Sequence, residues 1–230
     1  MLDPEGRVIM VSGASRGIGR AVVDRLLARG YSVSAGMRDP DGAETPQLMT
    51  ARFDATDRAS HQAWLDATLD RFGRLDGLVN NAGIADRFTL EHGDEADLDA
   101  LLAVNVKAPL FLTRACLPHL RTSGAGRIVN VASLSGKRVR NDNIGYAMTK
   151  YALMALTHGT RRIGWEDGVR ATALCPGFVA TDLTAGVQTI ERDAMIAPVD
   201  LAVLAETVIA LPNTASVAEM LVNCRHEDML

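Results

Sequence analysis

RVIMVSGASRGIGRAVVDRLLARG, residues 7–30, is the stretch on which the fold turns. Residues 7–12 are an apolar run without polar alternation, the pattern of a strand covered on both faces. Residues 19–29 bring apolar side chains back at helical spacing, and Gly30 supplies the stop. Between strand and helix stand three glycines, Gly13, Gly17 and Gly19. Glycines let the backbone turn tightly and come close to a pyrophosphate. The helix that follows offers unpaired N–H groups and the positive end of its dipole. Gly13, Ser15, Arg16, Gly17, Ile18 and Gly19 are therefore expected to hold the diphosphate of a dinucleotide. The spacing is GxxxGxG rather than GxGxxG, so the flanking strand and helix carry the reading more than the glycines themselves.

Outward from this unit the same alternation repeats. Further strands are predicted at 32–37, near 49–53, and at 75–79, 127–131, 169–174 and 218–222. Helices are predicted at 59–72, 95–120, 146–165 and 201–210, with Pro109 and Pro118 expected to kink or shorten the second of these. The least regular stretches are 39–46 and 185–198. Strands alternating with helices of ten or more residues imply βαβ units. The expectation is one α/β domain over residues 1–230, doubly wound in the Rossmann manner. Its parallel sheet would have about seven strands, with helices on both faces.

Composition fits that reading. The chain has 230 residues, 47% of them hydrophobic and 23% charged, and a net charge of −4. At roughly 150 residues per domain this length allows one large domain. The acidic balance gives no electrostatic footprint for nucleic acid. No apolar run approaches the roughly 18 residues of a membrane span, and the N-terminus lacks the order of a signal peptide. Cys116, Cys175 and Cys224 are odd in number and far apart, which suits reduced thiols and a cytoplasmic setting. No spacing of Cys or His suggests a metal site, and the five histidines read as surface or packing residues.

The end of the second strand bears on which dinucleotide is bound. An acidic residue about 20 positions beyond the glycines would hold a ribose 2′-hydroxyl, whereas arginine favours a 2′-phosphate. Asp39 stands 20 residues after Gly19, yet it falls in a turn before Pro40. Arg38 lies nearer the strand tip, and Arg16 can converge with it on a phosphate dianion. NADP(H) is thus expected, with NAD(H) as the alternative.

Tyr146 and Lys150 form YxxxK, and four residues apart on a helix they share a face. A nearby ammonium would lower the tyrosine pKa and let it exchange a proton with an alcohol or carbonyl. Ser133 stands 13 residues before Tyr146, with Ser135 as a competitor. Taken with SGASRGIG at 12–19, NNAG at 80–83 and PGFVAT at 176–181, this order resembles the short-chain dehydrogenase/reductase family over nearly the whole chain. The resemblance implies that Tyr146 is the general acid/base. It implies that Lys150 tunes Tyr146 and binds the nicotinamide ribose, and that Ser133 holds the substrate oxygen. Asn105 would support a water-linked relay behind the lysine. Asp54, with Ala55 beside it, would meet the adenine. Asn81, Ala82 and Gly83 would line the cofactor, and Pro176, Gly177, Val179 and Thr181 would meet the nicotinamide.

The activity so implied is hydride transfer between NADP(H) and a ketone or secondary alcohol of small size. An NAD-dependent alcohol dehydrogenase and a non-catalytic NADP-binding sensor are the alternatives. Two departures from the family stand out. Only 15 residues separate Arg38 from Asp54, too few for the usual helix. The chain also ends without the usual VDGG-like strand, which puts a tetramer in doubt and leaves a dimer through the 95–120 and 146–165 helices. Lys137, Arg138 and Arg140 form a basic loop that could attract an anionic substrate, although a solvated loop explains it as well. Residues 183–197 are expected to form a substrate lid.

Overall fold

A computed structural model describes residues 1–227. Seven strands form one parallel sheet: β1 (Val8–Ser12), β2 (Ser32–Met37), β3 (Leu48–Arg52), β4 (Gly77–Asn80), β5 (Arg127–Val131), β6 (Arg170–Pro176) and β7 (Glu219–Val222). Their spatial order is β3-β2-β1-β4-β5-β6-β7, every neighbour parallel. Six α-helices connect them: α1 (Gly17–Ala28), α2 (Arg58–Phe72), α3 (Glu95–Leu102), α4 (Ala108–Thr122), α5 (Ile144–Gly164) and α6 (Pro198–Ala210). The sequence reading of a doubly wound sheet is therefore correct, and its errors are local.

Strand pleating sends alternate residues to opposite faces. Ile9 and Val11 of β1, Val79 of β4 and Val129 of β5 pack against Val22 and Leu26 of α1 and against Leu201 and Ala205 of α6. Met10, Leu78 and Ile128, one position out of phase, pack against Trp64 of α2 and Leu112, Cys116 and Leu120 of α4. Both faces are apolar, which is why these strands read as continuous rather than alternating runs. Trp64 is almost wholly buried, and its indole lies where a Cβ on Gly36 would sit, 2.6 Å from the ring. Its Nε1 donates to Ser34 Oγ at 2.8 Å. Burial of that ring and its neighbours ties α2 to the β2–β3 edge.

Helix ends follow local chemistry. The Asp57 side chain accepts from Ala59 N at the start of α2, and Gly73 ends it with φ 73°. Asp94 and Asp97 form a reciprocal capping box at the start of α3. Pro198 opens α6, where its missing N–H costs nothing. Helix α1 begins two residues earlier than predicted, at Gly17, so the last two glycines of the turn are already helical.

The predicted helix over 95–120 is where the sequence reading departs most. Neither proline breaks it. Instead α3 passes into a π-helical stretch, Ala103–Lys107, and then into α4. One extra residue per turn at this point turns Asn105 inward, where it is 2% exposed. The run Glu95–Thr122 is 28 residues long, and an 18-residue window of it reaches mean hydropathy 1.4. By length and composition it passes the test for a membrane span, as core helices of soluble proteins also do, although Lys107 and Arg114 interrupt its apolar run. Its apolar side is part of the core described above. Between Arg38 and β3 there is no helix, as the short spacing implied.

Candidate active site

All seven strands point their carboxyl ends the same way, and the order reverses between β1 and β4. A crevice opens at such a switch point. Here it is a cavity of about 1280 Å³. Its floor is the glycine turn, which the sequence shaped in three different ways. Gly13 has φ +65°, and a Cβ there would lie 2.9 Å from Ala82 Cα. Gly17 has φ +56° at the first turn of α1. Gly19 does not line the cavity. A Cβ on it would come within 2.2 Å of Gly13 O and 2.5 Å of Asn81 Nδ2, so this glycine lets the helix pack onto the turn. Gly13 and Gly17 border the cavity, and Gly19 packs behind them. Ser15, Arg16 and Ile18 do border the cavity.

The segment after β4 is laced to this turn. Ser12 Oγ accepts from Asn81 N at 3.0 Å and Ala82 N at 3.1 Å. Asn81 Nδ2 donates to Ser12 O and Gly13 O, both at 3.0 Å. Asn81 is thus a brace whose backbone, with Ala82 and Gly83, forms the wall. Side chains are kept out of the cradle where a diphosphate would lie, and the α1 N-terminus faces it. This arrangement fits a dinucleotide.

Arg38 follows β2 directly and is exposed at the cavity edge, whereas Asp39 is not among the lining residues. Asp54 and Ala55 line the same end. Hydrogen bonds from the Thr56 backbone and hydroxyl hold the Asp54 carboxyl below its usual range. Arg16 reaches Asp182 at 3.2 Å, with both side chains exposed.

At the other end Ser133, Tyr146 and Lys150 share one wall. Ser133 ends the extended backbone after β5, and its Oγ accepts from Ser135 N at 3.0 Å. Tyr146 stands in the first turn of α5, anchored by Asn143. That side chain accepts from Tyr146 N at 3.4 Å and Phe88 N at 3.1 Å. Lys150 Nζ is 5.4 Å from the centre of the Tyr146 ring and donates to Val131 O at 3.0 Å.

Electrostatically the pair differs from the sequence expectation. Burial pushes the Tyr146 phenol up to about 12, with a hydrogen bond from Ser133 working the other way. Burial also brings the Lys150 ammonium down to about 8. Lys150 was expected to lower Tyr146. Burial dominates instead, and Lys150 Nζ is turned toward the Val131 carbonyl. The resting site therefore holds a neutral phenol, the proton-donating form.

Asn105 is brought close but not into the cavity. Its Oδ1 accepts from Ile84 N at 2.9 Å, and its Nδ2 donates to Ile84 O at 2.8 Å and Thr149 Oγ1 at 3.1 Å. Its geometry is that of a positioning residue that joins the wall after β4 to α5 beside Lys150.

Pro176, Gly177, Val179 and Thr181 extend from β6 along the cavity as expected. Of residues 183–197, Leu183, Thr184, Gly186, Val187, Gln188 and Thr189 border it. Met195 and Ile196 are instead buried, and Ile196 bridges to Val179. The lining also includes residues that sequence reading missed: Arg87, Asn143, Phe178, Arg225 and Glu227. Phe178 stands inside PGFVAT and Asn143 just before Tyr146, so position pointed to these two, whereas no motif marks Arg87, Arg225 and Glu227.

Residues 7–192 match the family described as short chain dehydrogenase. Two agropine synthesis reductases of Rhizobium rhizogenes are each 45% identical, over 229 and 227 residues. Those matches take 96% of this chain and 53% of each relative, so the chain spans about half the length of these curated relatives. The 2-(R)-hydroxypropyl-CoM dehydrogenase of Xanthobacter autotrophicus is 35% identical over 191 residues, 77% of this chain and 76% of that enzyme. Among solved structures, a 3-ketoacyl-(acyl-carrier-protein) reductase from Brucella melitensis, complexed with NADH, superposes with TM-score 0.88 at 28% identity. It covers 96% of this chain and 98% of its own. The chain belongs to the short-chain dehydrogenase family of oxidoreductases, whose fold binds a nicotinamide dinucleotide.

Proposed function

We propose that this short-chain dehydrogenase reduces a ketone to a secondary alcohol and draws on NADP(H). The observation that carries the reading is the convergence of Ser133, Tyr146 and Lys150 on one wall of the cavity whose floor is the glycine turn. When bound, the nicotinamide supplies the hydride. The protein supplies position and a proton. Ser133 and Tyr146 donate hydrogen bonds to the substrate carbonyl oxygen, where negative charge grows during reduction. Tyr146 Oη then gives its proton to that oxygen. Its resting protonation favours the reductive direction. Lys150 faces the phenolate so formed and stabilises it electrostatically until solvent returns the proton. Asn105 holds the wall and α5 in register during this exchange.

Arg38 and Arg16 support the preference for a 2′-phosphate. Arg38 lies at the cavity edge and Asp39 does not, and Arg16, whose pair with Asp182 is exposed and exchangeable, would complete a pair of guanidiniums suited to a phosphate dianion. Residues 183–189 act as a lid over the cavity, anchored through Ile196. Self-association through α4 and α5 is part of the same reading, since Leu110, Met148, Tyr151 and Ile163 are exposed on those helices.

The test compares NADPH with NADH by fluorescence titration, in the wild type and in Tyr146→Phe. Tighter NADPH binding is expected, with turnover lost in Tyr146→Phe at unchanged cofactor affinity. Equal or tighter NADH binding would move the assignment to an NAD-dependent alcohol dehydrogenase. Full turnover in Tyr146→Phe would remove Tyr146 as the proton donor.

A further inference from the structure

The basic loop at 137–140 is committed inside the molecule. Lys137 Nζ meets Glu219 at 2.6 Å. Arg138 Nε and Nη2 both donate to Glu227 Oε2, at 2.8 and 2.5 Å. Arg140 Nη1 lies 3.2 Å from Glu227 Oε1. The Arg138 and Glu227 side chains are only 9% and 5% exposed. Burial alone would raise the Glu227 carboxyl, but the two guanidiniums outweigh it and hold it below its usual range. Three cations meet two carboxylates here, so the loop keeps one net positive charge, at the half-exposed Arg140. The loop works as a fork that clamps residue 227.

That clamp fixes a segment of chain across the cavity. Residues 223–227 leave β7 beside the carboxyl end of β6, where Gly177 N donates to Val222 O at 2.8 Å. Arg225 lies between the β7 anchor and the Glu227 anchor. It borders the same cavity as Ser133 and Tyr146, is exposed, and stands 5.5 Å over the Phe178 ring. The other arginines at this end have acids. Arg87 pairs with Asp142, and Arg138 and Arg140 share Glu227. Among the described residues Arg225 has no carboxylate partner.

We infer that Arg225 is a specificity-determining residue that binds a carboxylate on the ketone substrate, with Arg138 and Glu227 as the residues that position it. One unpaired guanidinium matches the single charge of a carboxylate, and its fork geometry suits one. The inference rests on the ketone-reductase reading, and deepens it to the class of keto acids.

The experiment compares wild type, Arg225→Ala and Arg225→Lys on 4-oxopentanoate and on its methyl ester, which offer the same carbonyl with and without charge. The same proteins, loaded with oxidised cofactor, are titrated calorimetrically with glutarate, which has no ketone to reduce. In Arg225→Ala the ratio of kcat/KM for the acid to that for the ester is expected to fall about tenfold, mainly through KM. Glutarate affinity should fall in parallel, and Arg225→Lys should recover part of both. No difference between wild type and Arg225→Ala in either readout overturns the inference and leaves the ketone-reductase reading standing. Selectivity that survives Arg225→Ala but vanishes in Arg138→Ala also overturns it, because the anion would then sit on the fork. If neither ketone reacts but glutarate binding still depends on Arg225, the anion site stands and the ketone-reductase reading falls.

Discussion

Lys150 shows how one side chain trades stability for chemistry. It is buried, with a carbonyl as its hydrogen-bond partner and no counter-ion among the described residues. Its folded pKa of about 8 lies below the ordinary 10.5. Between those values the unfolded chain carries a proton that the folded chain lacks, so stability rises with pH through that window. Below pH 8 both states are protonated and the burial penalty is in full force. Denaturant titrations from pH 7 to 11 should show the wild type gaining about 3 kcal/mol relative to Lys150→Met. A flat difference would mean that the amine is better solvated than its burial implies. At this scale the sequence was a good guide to identity and a poor one to protonation. Spacing alone placed Tyr146 and Lys150 on one helix face. Their charge states depend on what surrounds them, and spacing does not carry that.

At the scale of elements, the glycine turn and the π-helical stretch make a contrast. The turn was legible because glycine is the only residue type that fits such close approaches. Gly19→Ala should confirm this. Its new Cβ would meet the Gly13 carbonyl and the Asn81 amide far inside contact distance, and overpacking of this kind costs roughly 1–3 kcal/mol. Thermal melts should show a lowered Tm, and cofactor titration should show loss of affinity, because the displaced groups build the cradle. Unchanged binding would mean that the turn shifts without harm. The π-helical stretch was not legible. AVNVK reads as ordinary helix, and Pro109 and Pro118, both beyond it, drew attention to the wrong places. Its extra residue is stabilised by what Asn105 reaches, Ile84 and Thr149, which lie 21 and 44 residues away in sequence.

Over the whole molecule, the cavity is assembled from every connection at the carboxyl edge of the sheet, and one wall is lightly held. Residues 183–189 border it with only one short helical turn, Asp182–Thr184, while Met195 and Ile196 are rooted in the core. Few buried apolar contacts mean low local stability. Hydrogen exchange should therefore be fast over 183–189 in the free protein and slowed by bound cofactor, with 195–196 protected in both states. Equal exchange with and without cofactor would count against a lid.

By itself the sequence determined the doubly wound fold, the place of the glycine turn and the Ser133–Tyr146–Lys150 set. Each of these is written in short-range signals: apolar runs, helical spacing, and residue types with few substitutes. Tertiary structure alone decided that Gly19 packs against the turn, that Asn105 braces α5, that burial raises the Tyr146 phenol, and that the basic loop clamps Glu227 while Arg225 has no carboxylate partner among the described residues. Those outcomes depend on burial and on charges paired across more than 80 residues of chain, quantities that exist only once the strands have closed into a sheet.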